Sequence, residues 1–273
     1  MQRILLTGAG GGVADLIRPI LRSEYHLRLS DRHAISDRVA EEEDVPADLT
    51  DLTALRAAVR GMDGIVHLGG YSLETDFETI LAANIIGATN LFEAARLEGV
   101  RRIIFASSNH VMGYYTRGET ISADLTVRPD SRYGLSKAYG EALGSLYAYR
   151  YGAEVLSIRI GHVLPAPLSI RDLAIWLSPR DLCQLIRIGL TTPGLRHEIV
   201  YGMSDNARAW WDGANAHRLG YRPQDQSEDH AAGAIAADAG PTGDPRIDLN
   251  QGGYFCVAET VAPPKRGQKG PRP

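Results

Sequence analysis

Arg3-Ile4-Leu5-Leu6-Thr7-Gly8-Ala9-Gly10-Gly11-Gly12-Val13-Ala14 sets a short, mostly apolar run against a glycine turn and the start of a helical repeat. The run reads as a strand of a parallel sheet buried on both faces, because no polar alternation interrupts it. From Val13 to Leu21 the apolar residues recur at helical spacing. Strand, glycine turn and helix in this order form the context in which a dinucleotide pyrophosphate is held. The glycines admit close backbone approach, and the helix N-terminus favours negative charge. Read as Gly8-x-x-Gly11-x-x-Ala14, the fingerprint carries alanine at its third position, small enough for a helix to pack closely on the strand. Gly8, Gly11, Gly12 and Val13 are the expected cofactor contacts of this turn.

The next strand, His26-Leu27-Arg28-Leu29-Ser30, ends at Asp31, 23 positions after Gly8. A carboxylate there accepts from a free ribose 2′-hydroxyl and repels a 2′-phosphate, so the expected cofactor is NAD rather than NADP. Arg32 follows directly and tempers that preference. Asp48-Leu49 precedes a helix that Asp51 caps through to Arg60, and Asp48 is expected near the adenine edge. Gly64-Ile65-Val66-His67-Leu68 is the fourth strand, closed by Gly69-Gly70, with a third hidden before Asp48. Leu68, Gly69 and Gly70 therefore fall at a strand's carboxyl end, where open α/β sheets bind ligands. His67 reads as a packed core residue. A long helix at 77–97 carries Asn84, a fifth strand runs over Arg101–Ala106, and Val155–Ile160 is the sixth. Strands alternating with helices throughout give an α/β chain with a doubly wound, Rossmann-type parallel sheet.

Two further stretches lie at that edge. Ser107-Ser108-Asn109-His110 follows the fifth strand, and Tyr133-Gly134-Leu135-Ser136-Lys137 opens the helix before the sixth. Residues i and i+4 share a helix face, so the phenol and the ammonium can point into one pocket. A nearby ammonium favours phenolate, so Lys137 is expected to lower the Tyr133 pKa and make it a usable base. Alone, a Tyr–Lys pair at this spacing is most often an exposed amphipathic pair; the glycine turn and the strand-end serine raise its weight.

Composition narrows the rest. The chain has 273 residues, 44% hydrophobic and 23% charged, ordinary for a globular protein. A net charge of −4 gives no basic footprint for nucleic acid or an anionic membrane. No apolar run is long enough to span a bilayer, and the N-terminus enters a strand without a signal-peptide pattern. Cys183 and Cys256 are far apart, and the eight histidines show no zinc spacing, so no metal is expected and a reduced, cytoplasmic setting is. After Gly161 the alternation fades. Pieces at 181–190 and 198–201 and a loop with Trp210-Trp211 are too short for a second domain. Residues 1–262 are thus expected as one domain, with a small C-terminal substrate-binding cap within about 162–262, and 263–273 as a disordered tail.

These motifs together resemble the extended short-chain dehydrogenase/reductase family, which includes the NAD-dependent epimerases and dehydratases. Within it the chain is most similar to the uronate dehydrogenase branch. Ile65-Val66-His67-Leu68-Gly69-Gly70, Asn84-Ile85-Ile86-Gly87, Phe105-Ala106-Ser107-Ser108-Asn109-His110, Gly113-Tyr114-Tyr115, Arg159-Ile160-Gly161, Trp210-Trp211-Asp212 and Gln251-Gly252-Gly253 carry the likeness over nearly the whole chain. The resemblance implies oxidation of the C1 hydroxyl of a cyclic hexuronate to an aldarolactone. Tyr133 would be the base, Lys137 the holder of the nicotinamide ribose, and Ser108 the partner of the reacting oxygen. It also implies Asn84 beside the cofactor, Ser72, Asn109, His110 and Arg171 around the substrate, and a homo-oligomer paired through the helices at 77–97 and 131–150. Arg171 would grip the carboxylate. One departure stands out: the branch resembles Arg-Ile-Gly-Ser where this chain has Arg159-Ile160-Gly161-His162, placing an imidazole against the substrate. Ser204-Asp205-Asn206 departs as well, from Ser-Ala-Asn. An aldose or sugar-phosphate dehydrogenase therefore stays open. A nucleotide-sugar epimerase or dehydratase has little room after Arg159, and a non-catalytic NAD sensor has no need of Ser108, Tyr133 and Lys137 together.

Overall fold

Each apolar run becomes a parallel strand in the computed structural model, which describes residues 1–259. The tail expected at 263–273 lies outside the described residues. The strands are β1 Arg3–Thr7, β2 His26–Ser30, β3 Glu43–Asp44, β4 Gly64–His67, β5 Arg102–Ser108 and β6 Glu154–Ile160. The helices between them are α1 Gly12–Leu21, α2 Leu52–Val59, α3 Phe77–Ile80, α4 Gly87–Glu98 and α5 Arg132–Tyr151. Beyond β6 come a two-stranded pair, β7 His162–Val163 and β8 Trp176–Leu177, and the short helix α6 Asp172–Ile175. Helix α7 Pro179–Thr191 and strand β9 His197–Gly202 follow.

The main sheet runs β3-β2-β1-β4-β5-β6-β9, parallel throughout. Its order reverses direction between β1 and β4, which opens a crevice at their carboxyl ends. Because successive side chains of a strand point to opposite faces, Ile4 and Leu6 join α1 and α7 in one core while Leu5 joins α2, α4 and α5 in the other. A third cluster joins Val111, Met112, Tyr115 and Ile121 to Ala174, Ile175, Tyr201 and Trp211.

Two elements differ from expectation. The segment at 179–202 is not cap: β9 extends the sheet beside β6, and α7 packs on α1 and over β5. Its partner strand lies some forty residues earlier, so nothing local announces the pairing. The helix expected at 77–97 is interrupted by a π-helical turn, Leu81–Ile86, that carries Asn84. Such turns displace one side chain from the regular helical ladder.

Helix α5 settles unusually close to the sheet. Ser131 caps it by accepting from the Gly134 N–H, and Gly152 ends it in the left-handed region at φ 75°. A β-carbon at Gly140 would collide with the Phe105 ring, and one at Gly134 with the His110 carbonyl. Glu141, one turn beyond Lys137, forms a bidentate pair with Arg159 of β6 at 2.8 and 2.9 Å, and accepts from Ser107 of β5 at 2.6 Å. Both charged side chains are almost wholly buried. Removing one partner leaves an uncompensated buried charge, which costs about 3–5 kcal/mol. Glu141→Ala should therefore lower the unfolding free energy by about that much in a urea titration; a loss under ~1 kcal/mol would contradict this account.

Candidate active site

The glycine turn is built for a tight approach. Gly8 adopts φ +68°, and a β-carbon there would come within 2.7 Å of the Gly69 backbone nitrogen, so no other residue fits. The Gly11 N–H closes the turn on the Gly8 carbonyl at 3.0 Å. Gly11 caps α1 without a side chain, and nothing lies within 4 Å of a β-carbon at Gly12. The first N–H groups of a ten-residue helix thus open onto free space, which suits a diphosphate. Val13, partly buried, anchors the turn on the core.

Asp31 stands over this turn. Its carboxylate accepts from the Gly10 N–H at 3.1 Å and from the Arg32 N–H at 2.7 Å. Asp48 is exposed and turned back on its own loop, accepting from the Thr50 N–H and hydroxyl at 2.8 and 2.7 Å, and these bonds hold it below the usual carboxylate range. Leu49 packs between Gly69 and Gly87. Leu68, Gly69 and Gly70 leave the end of β4, with Gly69 N–H on the Thr7 hydroxyl at 3.3 Å. As expected, His67 is a core residue: it bonds Thr7 at 2.7 Å, and burial pushes it down to about 3.

Asn84 has both ends of its amide engaged. Its oxygen accepts from the Tyr71 N–H at 2.7 Å; its nitrogen donates to the Tyr71 carbonyl and to the Ser136 hydroxyl, each at 2.9 Å. Ser136 in turn donates to the Tyr133 carbonyl at 2.7 Å. The π-turn thereby braces the segment after Gly70 against the first turn of α5. Ser72 lies in that segment and is exposed.

Ser108, Tyr133 and Lys137 converge where β5 ends beneath α5. Tyr133 is buried with Ser108 near enough to lower its pKa, the Ser108 hydroxyl accepts from the His110 N–H at 3.2 Å, and the Lys137 ammonium donates to the Ala106 carbonyl at 2.8 Å. The pKa of Tyr133 runs opposite to the sequence expectation. Burial pushes it up to about 12, only partly offset by Ser108, and Asp130 adds to the rise. Lys137 is itself pushed down to about 8 by burial. Its ammonium is turned onto a carbonyl, so desolvation decides both groups.

Around this centre the structure adds residues that spacing did not reveal. His110 gives its Nδ1 to buried Asp130 at 2.7 Å and stacks on Phe255 at 3.8 Å. Asp130 fits because Gly113 and Gly252 flank it; a β-carbon on either would collide with its carboxylate. Glu74, also buried, accepts from the Tyr133 N–H at 3.0 Å and from Arg132 at 2.8 Å. Asp130 and Glu74 sit in unpatterned loops. The one legible sign was the glycines at 113 and 252, which the likeness had singled out without a reason. Asn109 is buried, and its Nδ2 has no partner among the described residues.

Arg171 and His162 lie on neighbouring elements beyond β6: His162 opens β7 and Arg171 caps α6. Arg171 donates from Nε and Nη2 to the Gln251 carbonyl at 3.2 and 2.7 Å. Burial pushes its pKa down to about 10. Among the described residues no carboxylate lies within 4.0 Å of it. His162 bonds buried Asp172 through Nδ1 at 2.8 Å, and its Nε2 is buried without a partner among the described residues. Gln251 ties the cap together, accepting from Trp211 Nε1 at 2.9 Å and donating to the carbonyls of Thr116 and Glu119. No group of three or more His, Cys, Asp or Glu among the described residues could hold a metal, and no described helix is long and apolar enough to cross a membrane.

An Asp31 carboxylate over the turn disfavours a 2′-phosphate. Asp31→Ser should narrow the ratio of kcat/KM for NAD over NADP by at least about tenfold, the scale of one charge-assisted contact. A wild-type chain that works better with NADP would overturn this.

Comparison with known proteins agrees with the geometry. Residues 4–167 match the NAD dependent epimerase/dehydratase family. The chain is 49% identical to a uronate dehydrogenase of Pseudomonas putida, covering 94% of this chain and 96% of that protein. It is 38% identical to an NAD-dependent glucose-6-phosphate dehydrogenase of Haloferax volcanii, over 83% and 94%. A uronate dehydrogenase mutant from Agrobacterium tumefaciens, solved in complex with NAD, superposes with a TM-score of 0.90 at 40% identity, over 94% and 97%. The chain thus belongs to the NAD dependent epimerase/dehydratase family.

Proposed function

We propose that this protein oxidises the C1 hydroxyl of a hexuronate, glucuronate or galacturonate, to an aldarolactone with NAD. The observation that carries the reading is Arg171. A half-buried guanidinium with no carboxylate partner within 4.0 Å among the described residues is costly unless an anion completes it. Two of its nitrogens already hold the Gln251 carbonyl, which orients the planar fork for a carboxylate. The 49% identity to a protein that is a uronate dehydrogenase supports the same substrate class.

Gly8, Gly11, Gly12 and Val13 would hold the diphosphate, Asp31 the adenosine ribose, and Asp48 and Leu49 the adenine side. Leu68, Gly69, Gly70 and Asn84 would shape the nicotinamide end, with Lys137 on its ribose. When bound, NAD accepts the C1 hydride. Tyr133, as its phenolate, would take the hydroxyl proton, and Ser108, set beside it at the end of β5, would hold the reacting oxygen in line. Ser72, Asn109, His110 and His162 border the sugar. Asn109 offers its unpartnered amide donor to a hydroxyl, and His110 is fixed in orientation by Asp130.

Cap and sheet share a core through Tyr201 stacked on Trp211 at 4.9 Å, which supports one domain rather than two. Ile86 and Leu97 on the 77–98 helix, and Leu135, Leu146 and Tyr149 on α5, are exposed apolar residues that suit pairing with a second copy. Sedimentation as a monomer at micromolar concentration would refute that pairing. Two free, buried thiols suit a cytoplasmic setting.

Tyr133→Phe should lower kcat by about 10²–10⁴-fold while NAD affinity, followed by fluorescence titration, changes little. Retention of near-wild-type turnover would remove Tyr133 from the mechanism. Arg171→Ala should lower kcat/KM for hexuronate by roughly ten- to hundred-fold, with a much smaller effect on a neutral aldose. If the wild-type protein treats hexuronate and neutral aldose alike, the carboxylate assignment is wrong.

A further inference from the structure

Asp172 follows Arg171 directly, and of the surrounding charges it acts most strongly on that guanidinium. It is buried, next to Arg171 in the chain, yet it makes no ion pair with that guanidinium within 4.0 Å. Released from its present partners, such a carboxylate is free to turn toward Arg171 and offset its charge. The structure shows where its oxygens go instead. Oδ1 accepts from His162 Nδ1 at 2.8 Å, and Oδ2 accepts from the Leu168 N–H at 3.1 Å. Its own N–H is held by the Ser169 hydroxyl at 3.1 Å. Burial alone would raise this carboxyl; the bond from His162 leads the effects that hold it below the usual range. A carboxylate can only accept, so His162 must carry its proton on Nδ1. Nε2 makes no hydrogen bond among the described residues, so within the protein the Nδ1 bond to Asp172 is the imidazole's hydrogen bond.

We propose that His162 is a positioning residue for substrate recognition: by occupying Asp172 it keeps that carboxylate off Arg171 and pins the 168–172 loop to the end of β6, leaving the guanidinium free for the hexuronate carboxylate. This gives the departure at 162 a physical reason. A chain with an acid beside its substrate-binding arginine needs a donor to hold that acid, and histidine reaches from the strand end to do so. The inference rests on the reading of Arg171 given above.

The test is a cycle of variants at 162 and 172 read as KM against kcat, with hexuronate and a neutral aldose as substrates. His162→Ser releases Asp172, and KM for hexuronate should rise about tenfold or more, the scale of one charge-assisted contact. The effect should be several-fold smaller for the aldose. Adding Asp172→Asn removes the competing charge and should recover most of the lost KM. His162→Asn, whose amide nitrogen can replace Nδ1 as donor, should perform better than His162→Ser. A His162→Ser protein with unchanged KM overturns the proposal. So does a raised KM that Asp172→Asn fails to recover, since loss of loop packing alone would not be repaired by removing a charge. If His162→Ser does not fold, the comparison of His162→Asn with Asp172→Asn decides: a KM penalty in the second as large as that of Arg171→Ala refutes sequestration. A wild-type protein indifferent to the carboxylate sinks the Arg171 reading itself, an outcome visible before any variant is made.

Discussion

The close seating of α5 on β5 and β6 is the constraint on which the site depends. Tyr133 and Lys137 can serve one reaction only if their helix face lies within hydrogen-bond reach of the strand end that carries Ser108. That requires the absence of β-carbons at Gly134 and Gly140, where one would strike the His110 carbonyl just beyond β5 and the other the Phe105 ring of β5. It also requires a fixed rotation and register along the helix, which apolar packing alone specifies loosely. The Glu141–Arg159 pair, with Ser107 as third member, supplies both. A buried ion pair is weak evidence for net stability, because desolvation consumes most of its attraction. Its value here is geometric: Glu141 lies one turn from Lys137, so locking it to two adjacent strands locks the reactive face.

The same burial that orders these groups sets their electrostatics. Tyr133 and Lys137 are both moved toward their neutral forms. The lysine's benefit to the tyrosine is therefore not an intrinsic property of the Tyr-x-x-x-Lys spacing. Lys137 donates to the Ala106 carbonyl, and desolvation wins. To take a proton Tyr133 must first give up its own, so its work as a base depends on the completed pocket stabilising the phenolate, not on a phenolate already resident.

Much of this was legible in the sequence. Strands buried on both faces are written as unbroken apolar runs, so β1, β2, β4, β5 and β6 were recognisable within about two residues. The glycine turn and Asp31 were legible because each obeys a local rule. What could not be read was set by partners distant in the chain. Strand β9 belongs to the sheet because β6 leaves an edge for it. Asp130, Glu74 and Phe255 reach the site from loops whose composition carries no pattern. The π-turn at Leu81–Ile86 arises where Asn84 must bridge Tyr71 and Ser136, a demand no helical propensity records. The likeness to a known family did single out Gly113 and Gly252, but only the packing around Asp130 explains them.

The remaining choice, between a carboxylate and a phosphate at the sugar's far end, turns on how many positive groups face it. A relative 38% identical is an NAD-dependent glucose-6-phosphate dehydrogenase, so the fold itself does not decide. A phosphate dianion calls for more than one charge-assisted donor set, commonly an arginine with a second cation. In the sequence His162 looked available for that part. In the structure its Nδ1 is committed to Asp172, so the pair supplies no spare cation to Arg171 and leaves a carboxylate one residue from it in the chain. A dianion there would meet about twice the repulsion from that carboxylate that a monoanion gripped by the Arg171 fork meets. The charge arrangement therefore favours a substrate bearing a single carboxylate, and the substitution that first put the sugar acid in doubt becomes an argument for it.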